Sequence, residues 1–173
     1  MKTKGYIHNY TGNGKGKTTA AIGLAIRAIG AGLNVFIGQF IKTNNYSEHS
    51  ILEKYLPNIT VKTFGRGCFI YGSPEEIDIK LASDGLNFVE NVIEKKKFDL
   101  IVLDEINIVL HYKLIDKIRL ITLLKNKPME LEIVLTGRYA NKEILNLSDL
   151  VTEMKEIKHY YTNGVLARKG IEK

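Results

Sequence analysis

A chain of 173 residues with 45% apolar and 25% charged side chains has the size and make-up of one domain with its own core, which excludes a disordered or low-complexity polymer. No apolar run reaches the roughly 18 to 20 residues of a membrane span, and the polar opening MKTKGYIHNY lacks a signal-peptide core, so a cytoplasmic protein without a membrane partner is expected. The 25 Lys and Arg outnumber the 19 Asp and Glu, giving a charge of +6 that suits nucleotide phosphates and nucleic acid equally, and the single Cys68 excludes an internal disulfide.

In chain order, apolar β-rich segments appear at GYIHNY (5–10), NVFIGQF (34–40), NITVKTF (58–64), DLIVLDE (99–105), ELEIVLTG (130–137) and DLVTEMKEI (149–157). Helical periods separate them. KTTAAIGLAIRAIGAG (17–32) puts Ala21, Leu24, Ala25, Ala28 and Ile29 on one face and ends in glycines suited to a C-cap. SPEEIDIKLASDGLNFVENVIEKKK (73–97) opens with Ser73 as the expected cap, Pro74 in the first turn and Glu76 closing a capping box. Strands as apolar as Leu100 to Leu103 belong inside a parallel sheet covered on both faces, which predicts a three-layer α/β domain without repeats. The loops after Tyr10, Phe40, Phe64, Asp104 and Thr136 should then gather at one site, beyond the carboxyl ends of the strands.

The first of these loops lies in YTGNGKGKTTAA (10–21). Gly16, Lys17 and Thr18 match the end of the common phosphate loop, a glycine, four residues, then Gly-Lys-Ser/Thr, but the first glycine position falls on Thr11. Counted from Gly12, the loop is one residue short. Its physical ingredients are present nonetheless. Gly12, Gly14 and Gly16 permit dihedrals that turn backbone N–H groups inward, and the following helix presents its positive end. Lys15 and Lys17 add charge, and Thr18 offers a hydroxyl to Mg²⁺. A turn that merely joins a strand to a helix would not require two lysines and two threonines, Thr18 and Thr19, at these spacings. Asp104 and Glu105 close an apolar strand; many strands end in a solvated carboxylate, but beside such a loop the pair points to direct or water-mediated Mg²⁺ (or Mn²⁺) coordination.

These residues resemble the P-loop type ATP:cob(I)alamin (corrinoid) adenosyltransferases of cobalamin synthesis and salvage. The likeness runs from about Tyr6 to the C-terminus and is carried by TGNGKGKTTAA (11–21), RAIGAGLNVFIGQFIK (27–42), VLDEIN (102–107), LTGRYA (135–140) and DLVTEMKEIKHYYTNGVLARKGIE (149–172). The resemblance implies a P-loop NTPase-like (RecA-like) fold with a mostly parallel central sheet over residues 1–173. It also implies transfer of the 5′-deoxyadenosyl group of ATP to a reduced corrinoid, with release of triphosphate. In the family the altered loop accompanies ATP bound in the reverse of the usual orientation.

The nucleotide loop takes in Thr11, Gly12, Asn13, Gly14, Lys15, Gly16, Lys17, Thr18 and Thr19, Asn13 by the same resemblance, and Gln39 and Lys42 are placed for the site by their position at the end of the second strand. Lys15, Lys17 and Arg138 would stabilise the departing triphosphate, while Thr18 and Glu105 would hold the metal with Asp104 as a ligand or one step behind. For Arg138 a surface ion pair is an equal reading, and for Arg27 a solvated helix position is nearly so. Phe69 in GRGCFIY (65–71) falls near the family's GFTW-like aromatic segment that helps displace the lower cobalt ligand; Cys68 and Ile70 stand where the aromatics align, and ordinary core packing explains Phe69 equally well. Longer members carry a leading segment that covers the site across a dimer, and here a more open site or another lid is expected. A homodimer and an electron donor such as a flavoprotein are implied partners. His8, His49, His111 and His159 share no metal spacing.

Two other functions fit parts of the sequence. A nucleotide kinase or ATPase would use the same loop and LDE, against which stand the altered spacing and the tail. A nucleic-acid-binding ATPase module would use IEKKK (93–97), a run that otherwise marks the solvated end of a helix.

Overall fold

Strands that are apolar at every position need cover on both faces, and this chain provides it by alternation within the strands. The computed structural model describes residues 4–42, 47–67 and 72–172. Strands β1 (Ile7–Thr11), β2 (Val35–Phe40), β3 (Ile59–Phe64), β4 (Leu100–Asp104), β5 (Glu132–Thr136) and β6 (Leu150–Glu153) form one sheet in the order β3-β2-β4-β5-β1-β6. Every pairing in it is parallel. Five of the six strands fall inside the segments that the sequence marks; β1 runs one residue further, to Thr11, which the sequence reading places in the loop.

Helices α1 (Lys17–Gly30), α2 (Ser47–Tyr55), α3 (Glu76–Glu94), α4 (Ile106–His111), α5 (Lys117–Lys125) and α6 (Lys142–Leu147) connect the strands. Val35, Ile37, Leu100, Val102 and Val134 face one layer with Ala21, Ala25, Ala28 and Leu52. Phe36, Phe40, Ile101, Leu103, Ile133 and Leu135 face the other with Leu86, Val89, Ile106, Leu120, Leu124 and Ile144. Successive strand residues thus serve opposite cores. The alanine face of α1 lets that helix lie close on the sheet, with Leu24 and Ile29 half-buried at its margin. The helix ends as expected: Gly32 has φ 81°, its N–H bonds to Ile29 O at 2.8 Å, and Leu33 N–H reaches Ala28 O at 3.0 Å. That is a Schellman closure.

The start of α3 differs from the sequence reading. Its cap is Glu75, not Ser73, and the box closes with Asp78, not Glu76. Arg66 explains the shift: its guanidinium grips both oxygens of Asp78 at 2.9 and 2.8 Å, fixing that carboxylate where it accepts the Glu75 N–H at 3.0 Å.

The order of the sheet sets the geometry of the site. β5 lies between β1, which carries the glycine loop, and β4, which carries the acidic pair, while β2 flanks β4 on its other side. Loops distant in sequence therefore open onto one edge. Among the described residues no helix is long and apolar enough to cross a membrane.

Candidate active site

Thr11 is the last residue of β1 and stays in register opposite Glu153. The turn begins one residue later, where Gly12 has φ 95°, and ends at Gly16 with φ 111°. The position that usually holds the first glycine is thus still strand, and the left-handed freedom is needed at Gly12. A Cβ on Gly12 or Gly14 would stand 2.4 or 2.7 Å from the Met154 carbonyl oxygen. The loop is braced there, with Gly14 N–H donating to Met154 O at 2.7 Å and Met154 N–H to Thr11 O at 2.8 Å.

Lys17 curls back into this loop. Its ammonium donates to Gly12 O at 2.8 Å and Gly14 O at 2.6 Å, and burial lowers its pKa while the charge of Glu105 opposes that shift. Asn13 and Thr19 are exposed, the first at the loop's crest and the second on the first helical turn. Lys15 takes another direction: its ammonium pairs with Glu172 at 2.8 Å and with the Tyr160 hydroxyl at 3.1 Å, near the end of the chain.

Asp104 is the hub of the acidic side and is 1% exposed. Its Oδ1 accepts from Thr18 at 2.9 Å and Thr136 at 2.6 Å; its Oδ2 accepts from Lys42 at 2.7 Å and Gln39 at 3.1 Å. Lys42 also reaches the Thr18 hydroxyl at 3.3 Å. Burial pushes the Asp104 carboxyl up, but the Lys42 charge and the hydrogen bonds from Lys42, Thr136 and Thr18 together hold it below the ordinary value. Four donors from two strand ends, those of β2 and β5, and one helix thus converge on one carboxylate.

Glu105 stands in the opposite state. It caps α4 with φ 62°, and its N–H donates to the Thr136 hydroxyl at 2.9 Å. Its Oε2 is buried without a hydrogen-bond partner among the described residues. Burial and then the charge of Asp104 push this carboxyl up. A buried, orphaned carboxylate oxygen beside a second carboxylate and the Thr18 hydroxyl is a set of hard oxygen donors, the kind that suits Mg²⁺ or Mn²⁺. Among the described residues no three His, Cys, Asp or Glu side chains cluster, so a cation here would lean on Thr18 and on oxygens from a phosphate or water.

Arg138 follows Gly137 (φ 128°), is exposed, and lies within electrostatic reach of Lys17 and Glu105. Asn107 donates to Asn9 Oδ1 at 2.9 Å and to Gly137 O at 3.2 Å, tying the middle of β1, the start of α4 and the turn after β5 together. Phe69 and residues 68–71 lie outside the described residues. Sequence reasoning missed Thr136, His49 and Glu172. Thr136 was legible as a polar residue ending an apolar strand; His49 and Glu172 reach the site only through the fold.

A phosphate loop between a strand and a helix, facing an acidic strand end across a parallel sheet, defines a P-loop nucleotide-binding domain. Solved structures agree on the fold: the KaiC-like protein PH0186 of Pyrococcus horikoshii has a TM-score of 0.57 at 17% identity, covering 90% of this chain and 75% of that one. The flagellar accessory protein FlaH of Methanocaldococcus jannaschii has a TM-score of 0.60 at 15% identity, covering 87% and 71%. Residues 3–172 match the model of the family described as ATP:corrinoid adenosyltransferase BtuR/CobO/CobP, and the chain belongs to that family. The corrinoid adenosyltransferase of Sinorhizobium sp is 36% identical over 172 residues, 98% of this chain and 80% of that protein. The corrinoid adenosyltransferase CobA of Salmonella typhimurium is 34% identical over 173 residues, 99% and 87% respectively.

Proposed function

We propose that the chain performs its family's reaction, transferring the 5′-deoxyadenosyl group of ATP to the cobalt(I) of a corrinoid, with the triphosphate received by the loop 12–16 and Lys17. The observation that carries this reading is the placement of Lys17. Its ammonium sits among the loop carbonyls, close enough to Asp104 and Glu105 for their charges to act on it. In the reaction the cobalt(I) electron pair forms the bond to the 5′ carbon, and the carbon–oxygen bond breaks with its electrons leaving on the triphosphate. No protein base is required, so the protein's contribution is positioning and the neutralisation of departing charge.

Lys17, the loop N–H groups and Arg138 supply that neutralisation. Thr18, Asp104 and Glu105 would hold Mg²⁺ or Mn²⁺, which when bound adds charge stabilisation to the triphosphate. Lys42 keeps Asp104 ionised, and Gln39 helps to orient it. Lys15 is held by Glu172, so its part in phosphate binding requires release from that pair. When the corrinoid arrives as cobalt(II), one electron must come from a donor such as a flavoprotein. A homodimer belongs to the same reading and is checked by light scattering. The test of the reaction is incubation with ATP, Mg²⁺ and chemically reduced cobalamin, following the corrinoid spectrum and the phosphate product. Triphosphate with an adenosylated corrinoid is the expected result; ADP would instead indicate a kinase or ATPase.

A further inference from the structure

We propose that His49 is a positioning residue for Asp104, acting through the side-chain amide of Gln39; the proposal rests on the reading of Asp104 as part of the cation and nucleotide site. His49 on α2 is 5% exposed and Gln39 on β2 is 1% exposed. The Gln39 amide donates to Asp104 Oδ2 at 3.1 Å, and His49 Nε2 lies in hydrogen-bond contact with Gln39 Oε1. The chemistry of the ends fixes the direction of this chain. An ionised carboxylate only accepts, so the amide must turn its NH₂ toward Asp104. Its carbonyl then faces His49 and needs a donor, which only an Nε2–H supplies.

Without that donor the buried carbonyl keeps no hydrogen-bond partner among the described residues, and the amide no longer has a single favoured orientation. A flipped amide would press an acceptor oxygen against Oδ2, the oxygen that Lys42 also holds. His49 thus ties α2 to the acidic hub through Gln39. Outer-shell partners of this kind change metal affinity by about 10- to 100-fold when removed.

Two measurements test it. In nitrogen-15 spectra of the wild-type full chain, His49 should carry its proton on Nε2; an unprotonated Nε2 would overturn the proposal regardless of how any variant folds. Calorimetric binding of Mn²⁺–ATP, without corrinoid so that no turnover occurs, supplies the second. His49→Phe should weaken binding about tenfold, while His49→Gln, which retains an N–H, should restore most of it. Gln39→Leu should weaken binding, and adding His49→Phe to it should cost nothing more. Equal binding by folded His49→Phe and wild type, or losses that add in the double variant, overturn the role of His49 alone. Wild-type protein that binds no Mn²⁺–ATP overturns the reading of the site as well.

Discussion

Asp104 and Glu105 are neighbours in sequence with opposite surroundings, and the difference separates their roles. Asp104 accepts four hydrogen bonds, so Asp104→Asn should turn an amide N–H toward those donors and cost roughly 1 to 3 kcal/mol of stability. The buried Glu105 oxygen has no such partner, and its carboxyl is pushed up by burial and by Asp104. A charge that the fold disfavours can be removed without loss. Glu105→Gln should therefore melt no lower than wild type near pH 7, while the Mg²⁺ needed for half-maximal rate rises by about tenfold or more. Metal titrations beside thermal melts check both; a Glu105→Gln protein with an unchanged Mg²⁺ requirement would remove that residue from the metal site. Lys17→Ala should lower turnover by roughly 10²-fold or more with little change in fold, since water can take up the Gly12 and Gly14 carbonyls. Lys17, Thr18, Gln39, Lys42, Asp104 and Glu105 were read from the sequence as candidates, and the structure brings them to one edge of the sheet: Lys17 and Thr18 open α1, and the others lie at or just beyond the ends of β2 and β4. Lys15 was read as a phosphate ligand, yet its carboxylate partner lies at the far end of the chain, where no local pattern pairs them.

Among the elements, the central strands β2, β4 and β5 were legible because both their faces are covered, leaving apolar runs that loops do not resemble, whereas β6 is exposed throughout. Helices α2, α4, α5 and α6 are only six to nine residues long. Too few turns are present for a helical period to stand out, and the sheet's faces, not their own patterns, hold them in place. Glycines in the longer helices yield a pair of predictions of opposite sign. A Cβ on Gly23 in α1 meets nothing within 4 Å, so Gly23→Ala should stabilise the protein by about 0.4 to 1 kcal/mol. A Cβ on Gly85 in α3 would lie 2.7 Å from the Phe64 ring and 2.9 Å from that of Phe40. Those rings lie in the packed core beneath α3, and overpacking costs about 1 to 3 kcal/mol. Gly85→Ala should thus be destabilising despite the better helix former. Denaturant midpoints of the two variants measure this directly, and a stabilised Gly85→Ala protein would show that α3 is less tightly seated on β2 and β3 than its contacts imply.

Across the whole molecule, the two ends of the chain meet at the loop that should bind phosphate. β6 pairs with β1, Met154 braces Gly14, and Glu172 gathers Lys15, the Tyr160 hydroxyl and Arg168 around one carboxylate. The hydrogen bonds of Arg168, followed by those of Lys15 and Tyr160, hold the Glu172 carboxyl far below the usual carboxylate range. The sign of the resulting pH dependence follows from that depression. A carboxyl whose folded pKa lies below its unfolded value near 4.5 stabilises the docked tail above that pH, and the contribution is lost as pH falls from there toward the depressed value. The tail should remain docked from about pH 5 to 8 and loosen progressively below the ordinary glutamate value. Glu172→Gln should loosen it already at neutral pH, with only a small change in the global melt because the cluster lies at the surface. Hydrogen exchange of residues 155–172, corrected for the intrinsic effect of pH, measures this locally and separates it from global acid unfolding. Protection that is the same at pH 4 and pH 7, and the same in Glu172→Gln, would mean that the backbone contacts of Met154 hold the tail and the carboxylate does not.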